Sequence, residues 1–416
     1  MTWRDWCGAM ADRSTRPGVD AAFDLIEGAV APLGTDTVAV SEALGRIAAE
    51  PAIARLDVPR FVASAMDGFA VRSADVAAAG AAHPIDLPLG APVPAGEAAG
   101  TLRIGHAVPI STGARLPEGA DAVLIREFGE VVDGACLRVR APIDPWRNVR
   151  APGEDMTQGS ALIGAGHLIT PDTVGALAAC GIDRIAVRRM PRIALISSGS
   201  ELAANAAGLS GPAKAIDCNA PMILAAARSL GLPARFLGRM ADTPEAVAAM
   251  LDMASASGED DILISTGGVS AGEFDLVRAG LEARGVAIHF HGVQMRPGKP
   301  LLFATLPDGR PYFGLPGNPV AALVAFRFFV MAAVRRMLGL PREPGEAVSA
   351  DAEPREGTTL FLRGRRVLDA DGRVRIETGF DQRSHILSSV VQADHWLRVA
   401  PDAPRFRAYP KLPVLG

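Results

Sequence analysis

The stretch Ser265-Thr266-Gly267-Gly268-Val269-Ser270-Ala271-Gly272-Glu273-Phe274-Asp275 follows the apolar run Ile262-Leu263-Ile264, and it gathers more polar chemistry than a plain turn needs. The Gly267-Gly268 pair lets backbone N–H groups turn toward an anion without interference from a Cβ. The helix predicted next adds the orphan donors of its N-terminus. Thr266 and Ser270 can donate further hydrogen bonds. Together these groups describe a cradle for a phosphate or another oxyanion. Carboxylates are wrong for a bare anion, so Glu201, Asp242 and Asp275 imply something between them and the phosphate. A hard divalent cation fits, and Mg²⁺ takes carboxylate and phosphate oxygens together. The competing explanation is that Glu273 and Asp275 only complement the dipole at a helix start. For this loop alone the two readings are balanced.

Three more loops tip that balance. Ser198-Gly199-Ser200-Glu201 follows "RIALIS", Ala241-Asp242 follows "FLGRM", and Leu315-Pro316-Gly317-Asn318-Pro319 follows "PYFG". In open α/β sheets ligands bind beyond the carboxyl ends of the strands, and four polar loops at such ends favour a ligand site. "MRPGKP" projects Arg296 and Lys299 from a stiff Pro-Gly bend, although a surface turn reads the same way. Pro319 sits where a helix would begin, a favourable first position, and Gly317-Asn318 before it can form a donor-rich turn. A good helix cap alone would also explain it. "SAMDGFAV" (64–71), "STGARLPEGAD" (111–121) and "NVRAPGEDM" (148–156) are dense in Gly, Asp and hydroxyls, and the residues by themselves read as turns with Asx-type caps.

The elements that must hold these loops are legible from period and punctuation. Residues 190–340 alternate strand and helix: strands at "RIALIS", "ARFLGRM", "DILIS", "VAIHFHGVQ" and "PYFGL"; helices over Asn219–Leu230, Thr243–Ala256, Phe274–Arg284 and Val320–Leu338. That alternation predicts a parallel sheet covered by helices. Helical spacing also runs from Val19 to Leu33, and a second helix is predicted around Ser41–Ala49 behind a Ser N-cap. From about Pro59 to Pro152 short β-like runs alternate with Pro-Gly turns and read as a separate β-rich domain. Residues 345–416 are β-like again and predict a small barrel or sandwich.

Composition limits the function classes. The chain has 416 residues, 49% apolar and 21% charged, with a formal net charge of −4. It is long enough for two to four domains. No long basic run points to nucleic acid, and no apolar run reaches the length of a membrane span. The first residues lack the cationic start and apolar core of a secretory signal, so the expected compartment is the cytoplasm. Cys7, Cys136, Cys180 and Cys218 are far apart and predict neither a zinc site nor a disulfide frame. His289 and His291 can share a strand face, but without a third ligand a structural role is the better reading.

The motifs taken together resemble one family, the molybdopterin molybdenumtransferases (the MoeA family, also represented by the gephyrin E domain). The matching residues are "SAMDG" 64–68, "STGA" 111–114, "PGED" 152–155, "SSGSE" 197–201, "STGGVSAGEFD" 265–275, "MRPGKP" 295–300, "LPGNPV" 315–320 and "GFDQRSHILSS" 379–389, in the family's order and across nearly the whole chain. The resemblance implies a multidomain α/β plus β fold in an elongated, L-shaped homodimer. Its parts would be a discontinuous N-terminal helical and linker domain (1–56 and 152–189), an inserted β-rich domain (57–151), a three-layer α/β/α molybdopterin-binding domain (190–341) and a C-terminal β-barrel (342–416). The implied reaction inserts molybdate into adenylyl-molybdopterin: the pterin dithiolate receives molybdenum and AMP leaves as the phosphoanhydride is hydrolysed.

Carried over by motif, the resemblance assigns Glu201, Asp242 and Asp275 to Mg²⁺ and catalysis, with Asp67 as a further catalytic residue. Arg296, Lys299 and Ser270 would hold oxyanions, and Gly267 and Gly268 would form the cradle. Pro316, Gly317 and Pro319 would shape the pterin cleft. Asp67, Thr112 and Asp155 would reach the site from the β-rich domain and its hinge, and Ser384 and Arg363 would contribute from the last domain. The implied macromolecular partners are a second copy of the chain, the molybdopterin adenylyltransferase and the molybdoenzyme apoproteins. Arg296 stands where the family often has Lys, and Ser200 where an acid is common; Ala63, Ala151-Pro152 and Cys218 are further departures. They keep open a paralogue that handles tungstate or delivers cofactor. A non-catalytic scaffold is a third reading, against which the carboxylate and cation set speaks.

Overall fold

The stripe Ala22, Phe23 and Ile26 is the buried face of helix α1 (Val19–Ala29). In the computed structural model, residues 16–413 are described except 98, 210–213, 242, 269–279 and 402–405. Two compact units share the chain: Thr37–Leu44 with Ala48–Val187, and Met1–Asp36 with Gly45–Ile47 and Arg188–Gly416.

In the smaller unit the short alternating runs become strands β1 (Gly68–Val71), β2 (Ile85–Pro88), β3 (Val108–Ile110), β4 (Ala122–Ile125), β5 (Glu130–Val132) and β6 (Cys136–Val139). They form two antiparallel sheets, ordered β3-β1-β4 and β2-β6-β5. Phe69, Val71, Leu87, Leu137 and Val139 fill one core drawn from both sheets. Helix α2 (Pro171–Ala179) starts on its Pro. The helix expected over Ser41–Ala49 is not formed. Val40–Glu42 make one 3₁₀ turn, and the amides of Ala48 and Ala49 donate instead to the carbonyls of His167 and Ala186. Tertiary pairing overrides a weak local preference there.

The larger unit carries β7 (Ile193–Ser198), α3 (Asn219–Ser229), β8 (Ala234–Met240), α4 (Pro244–Ser257), β9 (Ile262–Thr266), β10 (Ala287–His291), β11 (Met295–Arg296), β12 (Leu302–Thr305) and β13 (Pro311–Leu315). Six strands form one sheet in the order β8-β7-β9-β13-β12-β10. The expected all-parallel sheet is corrected to a mixed one. β8, β7, β9 and β13 run parallel, but β12 and β10 join antiparallel. Strand β12 was hidden from pattern reading because it is buried on both faces, so it lacks alternation and merges with the preceding "MRPGKP" loop.

Burial also explains the hydroxyls that end β9. All five of its residues are buried. Ser265 Oγ lies 2.6 Å from the Tyr312 hydroxyl on the next strand, and Thr266 Oγ1 donates to Ser197 Oγ at 3.4 Å. The helix expected over 274–284 lies mostly outside the described residues. The one expected over 320–338 is present as α5, starting at Pro319–Val324, passing through a π turn at Ala325–Val330 and ending in Met331–Met337. Within the π turn, Arg327 is fully buried and pairs with Glu343 at 2.7 Å.

The same unit closes with β14 (Thr359–Leu368), β15 (Val374–Glu377), β16 (His395–Val399) and β17 (Phe406–Pro410). The sheet begins with the two-residue strand Glu346–Ala347, runs through β17, β16, β14 and β15, and ends on Ser349–Ala350. Its two end strands are neighbours in sequence, so the sheet curls almost into a barrel. β11 runs parallel beside β14, with Met295 opposite Thr359.

Candidate functional site

The parallel strands β7, β9 and β13 are neighbours, and they end together at Ser198, Thr266 and Leu315. Gly267 then turns back on this row with φ 85°. A Cβ at Gly267 would lie 2.3 Å from the Ser198 carbonyl oxygen, so only glycine permits the approach. Its N–H donates to the Leu315 carbonyl at 3.1 Å. A Cβ on Gly317 would sit 3.8 Å from Gly267 Cα, so the loops after β9 and β13 touch backbone to backbone. Two glycine turns thus form a thin floor at the carboxyl edge of the sheet.

Above that floor lies a cavity of about 770 Å³, a size suited to a nucleotide-scale ligand. Eight sequence-predicted residues line it: Glu201, Gly267, Gly268, Arg296, Lys299, Pro316, Gly317 and Ser384. Pro319 opens α5 next to the lining residue Asn318. The N–H of Val320 donates to the Ser384 carbonyl at 3.2 Å, which ties the 381–385 loop to the start of that helix. On the opposite wall, Val293 N–H donates to the Lys299 carbonyl at 2.9 Å and Leu301 N–H to the Gly298 carbonyl at 3.2 Å. These bonds hold the "MRPGKP" bend as a rigid bracket with Arg296 and Lys299 exposed on it.

Arg363 is placed differently from its neighbours. It is fully buried in β14, behind the 381–385 loop rather than on the cavity wall. Its Nη2 donates to the Asp381 carbonyl at 2.7 Å, while Nε and Nη1 have no hydrogen-bond partner. Burial pulls this guanidinium below its ordinary pKa, and Asp381 partly offsets the effect. A buried cation with idle donors is costly unless something anionic approaches.

Asn219 is a lining residue that sequence reasoning missed, as are Gln382, Arg383 and His385. Asn219 Nδ2 donates to the Gly317 carbonyl at 2.8 Å, bracing the glycine floor from the start of α3. Asp217, almost fully buried, accepts from the Ala220 N–H at 3.1 Å and lies 3.1 Å from Arg239 Nε. The signal was the Asp217-Cys218-Asn219 triplet at the start of a helix. Burial pushes the Cys218 thiol up, so it is a neutral thiol rather than a nucleophile at pH 7.

In the smaller unit Asp67 and Thr112 are brought together. The Thr112 N–H donates to Asp67 Oδ1 at 2.7 Å and its Oγ1 at 3.0 Å. These bonds, the backbone one first, hold the Asp67 carboxyl below its usual range. Asp155 is exposed in the same unit, with its N–H donating to the Val58 carbonyl at 3.0 Å. Asp242, Ser270 and Asp275 lie outside the described residues.

Among the described residues, no group of three His, Cys, Asp or Glu side chains is placed to hold a metal ion. Glu201 contributes a carboxylate to the cavity, a hard oxygen donor suited to Mg²⁺ alongside phosphate oxygens. His289 is engaged elsewhere, with Nε2 2.8 Å from Thr305 Oγ1 and its ring stacked 5.0 Å from Phe303. No helix of the described residues is long and apolar enough to cross a membrane.

Residues 18–181 match the family described as "MoeA N-terminal region (domain I and II)", and residues 194–336 match "Probable molybdopterin binding domain". The chain is 34% identical over 382 residues, 90% of its own length and 93% of the relative's, to the molybdopterin molybdenumtransferase of Synechococcus elongatus. It is 36% identical over 332 residues, 79% of its length and 75% of the relative's, to the protein of that name from a Nostoc species. A solved structure of the molybdopterin biosynthesis MoeA protein from Pyrococcus horikoshii superposes with a TM-score of 0.78 at 27% identity, covering 94% of this chain and 97% of that one. With this likeness running through both units and 90% of its length, the chain belongs to the molybdopterin molybdenumtransferase family.

Proposed function

We propose that the protein inserts molybdenum from molybdate into adenylyl-molybdopterin and releases AMP, forming molybdenum cofactor. The observation that carries this reading is the single cavity on which the glycine floor, Glu201 and the Arg296–Lys299 bracket converge. Gly267 and Gly268 line the cavity without side chains and let the phosphates approach the backbone closely. Arg296 and Lys299 attract and orient the oxyanion, each by charge-assisted hydrogen bonds. Pro316, Gly317 and Pro319 shape the wall for the pterin, and Asn219 keeps that wall in place. Glu201 would hold Mg²⁺, with Asp242 and Asp275 as the proposed companion ligands and Ser270 as a further oxyanion donor. When bound, the cation would neutralise charge developing on the leaving AMP.

The finer parts of the reading are proposals of the same kind. They comprise the L-shaped four-part subunit, the homodimer, the cytoplasmic location, and the adenylyltransferase and molybdoenzyme partners. Asp67, Thr112, Asp155 and Ser384 are proposed to serve the same reaction. The two hydrogen bonds from Thr112 support an Asp67 carboxylate held in one orientation for it.

The test is AMP release from purified adenylyl-molybdopterin with Mg²⁺, with and without molybdate. Molybdate-dependent release coupled to active cofactor is the expected result. Tight adenylate binding without such release would replace the reading with a carrier. Release driven by tungstate in preference to molybdate would change the metal assigned.

A further inference from the structure

The bracket that bears Arg296 and Lys299 separates two cavities, and the second is cationic. Met295, Arg296 and Lys299 face both. The second, about 560 Å³, is bounded beyond them by Arg16 and Arg355, with Glu356 the one acid among its lining residues. Among the described lining residues four are cations and one is an acid.

Both distal arginines are fastened to the bracket by backbone. Gln294 N–H donates to the Pro17 carbonyl at 3.0 Å, which sets Arg16 across Gly292. A Cβ at Gly292 would lie 2.9 Å from Arg16 Nε and 3.0 Å from its Cδ, so the arginine side chain lies directly over this glycine. On the other side Thr359 N–H donates to the Gln294 carbonyl at 3.0 Å, and the turn before it closes with Thr358 N–H on the Arg355 carbonyl at 3.0 Å. Three segments remote in sequence thus bring their cations to one space. Three other arginines of this unit are neutralised by carboxylates: Arg189 by Asp261, Arg327 by Glu343 and Arg342 by Glu27. Among the described residues Arg16 and Arg355 make no ion pair. Cations concentrated in a walled space raise the local concentration of an anion, and arginine forks match the oxygens of a tetrahedral one.

We propose that this second cavity binds a small tetrahedral oxyanion at a position distinct from the nucleotide phosphates, with Arg16 and Arg355 on its far side and the shared Arg296–Lys299 wall leading to the first cavity. That the anion is molybdate rests on the function proposed above; sulfate and phosphate share its chemistry.

Equilibrium dialysis of the full chain against molybdate, with molybdenum counted by mass spectrometry, tests the site. The double variant Arg16→Gln/Arg355→Gln is expected to lose one bound molybdate per chain while AMP affinity stays unchanged. Arg16→Lys/Arg355→Lys is expected to restore it. Equal molybdate uptake by the wild type and the glutamine variant would overturn the proposal, as would a parallel loss of AMP binding in both variants. Displacement by equimolar sulfate or phosphate assigns the site to tetrahedral anions in general, and resistance to them assigns it to molybdate; either result upholds the site. If the wild type binds this molybdate but releases no AMP from adenylyl-molybdopterin, the function proposed above fails and the site stands. If it releases AMP and the variants bind molybdate equally, the site alone fails.

Discussion

Arg363 and Gln382 hold each other by a reciprocal pair of hydrogen bonds. The Arg363 N–H donates to Gln382 Oε1 and Gln382 Nε2 donates to the Arg363 carbonyl, both at 2.9 Å. Because one bond needs an acceptor and the other a donor, the amide orientation is fixed by chemistry. The clamp seats the 381–385 loop, which supplies Gln382 and Ser384 to the cavity wall. Gln382→Leu removes both bonds and is expected to cost roughly 1–3 kcal/mol. With the loop unseated, KM for molybdate should rise more than kcat falls. Calorimetric melting and molybdate-dependent AMP release measure the two effects, and an unchanged KM would show that the loop does not contact the anion.

Gly267→Ala asks for a Cβ at 2.3 Å from the Ser198 carbonyl oxygen, on a backbone at φ 85°. The left-handed conformation alone costs about 1–2 kcal/mol for an L-residue, and the clash forces the floor apart. Adenylate affinity is expected to fall by at least about tenfold, which corresponds to about 1.4 kcal/mol. Titration calorimetry with AMP reads it. Unaltered binding would mean the phosphates lie elsewhere.

Much of this site was legible because its chemistry is local. Glycine pairs, hydroxyls and acids directly after apolar runs mark strand ends, and Glu201, Gly267 and Gly317 were placed by that rule. The mixed direction of the sheet was not, because β12 is buried on both faces and carries no alternation to reveal its reversed direction. Asn219 escaped notice because its task, bracing the Gly317 carbonyl, is a contact across 98 positions. Arg363 could be named from the family resemblance, but its burial against Asp381 and Gln382, 18 and 19 positions away, is a contact that no short pattern encodes.

Cys218 offers a pH test of the α3 start. Burial raises its thiol pKa above the ordinary 9.0. A raised folded pKa contributes stability that is fully present below the unfolded value and lost as pH rises through the folded one. Melting temperature should therefore fall above about pH 9 in the wild type, and less steeply in Cys218→Ser. Alkylation of Cys218 by iodoacetamide should accelerate only in the same range. Rapid alkylation at pH 7 would contradict a half-buried neutral thiol.

Glu201 tests the proposed cation. It is exposed to the cavity and is the described member of a carboxylate set whose other proposed members are Asp242 and Asp275. If Glu201 donates an oxygen to Mg²⁺, Glu201→Gln keeps a neutral oxygen ligand but removes the charge that draws a hard cation. The Mg²⁺ concentration for half-maximal AMP release is then expected to rise by roughly tenfold, about 1.4 kcal/mol, with kcat at saturating Mg²⁺ partly preserved. Asp275→Asn is expected to abolish turnover and leave the melting temperature unchanged. Mn²⁺ binding followed by electron paramagnetic resonance gives a readout independent of turnover. Equal Mn²⁺ affinity in the wild type and Glu201→Gln would remove Glu201 from the ligand set and leave it as a charge that only shapes the rim.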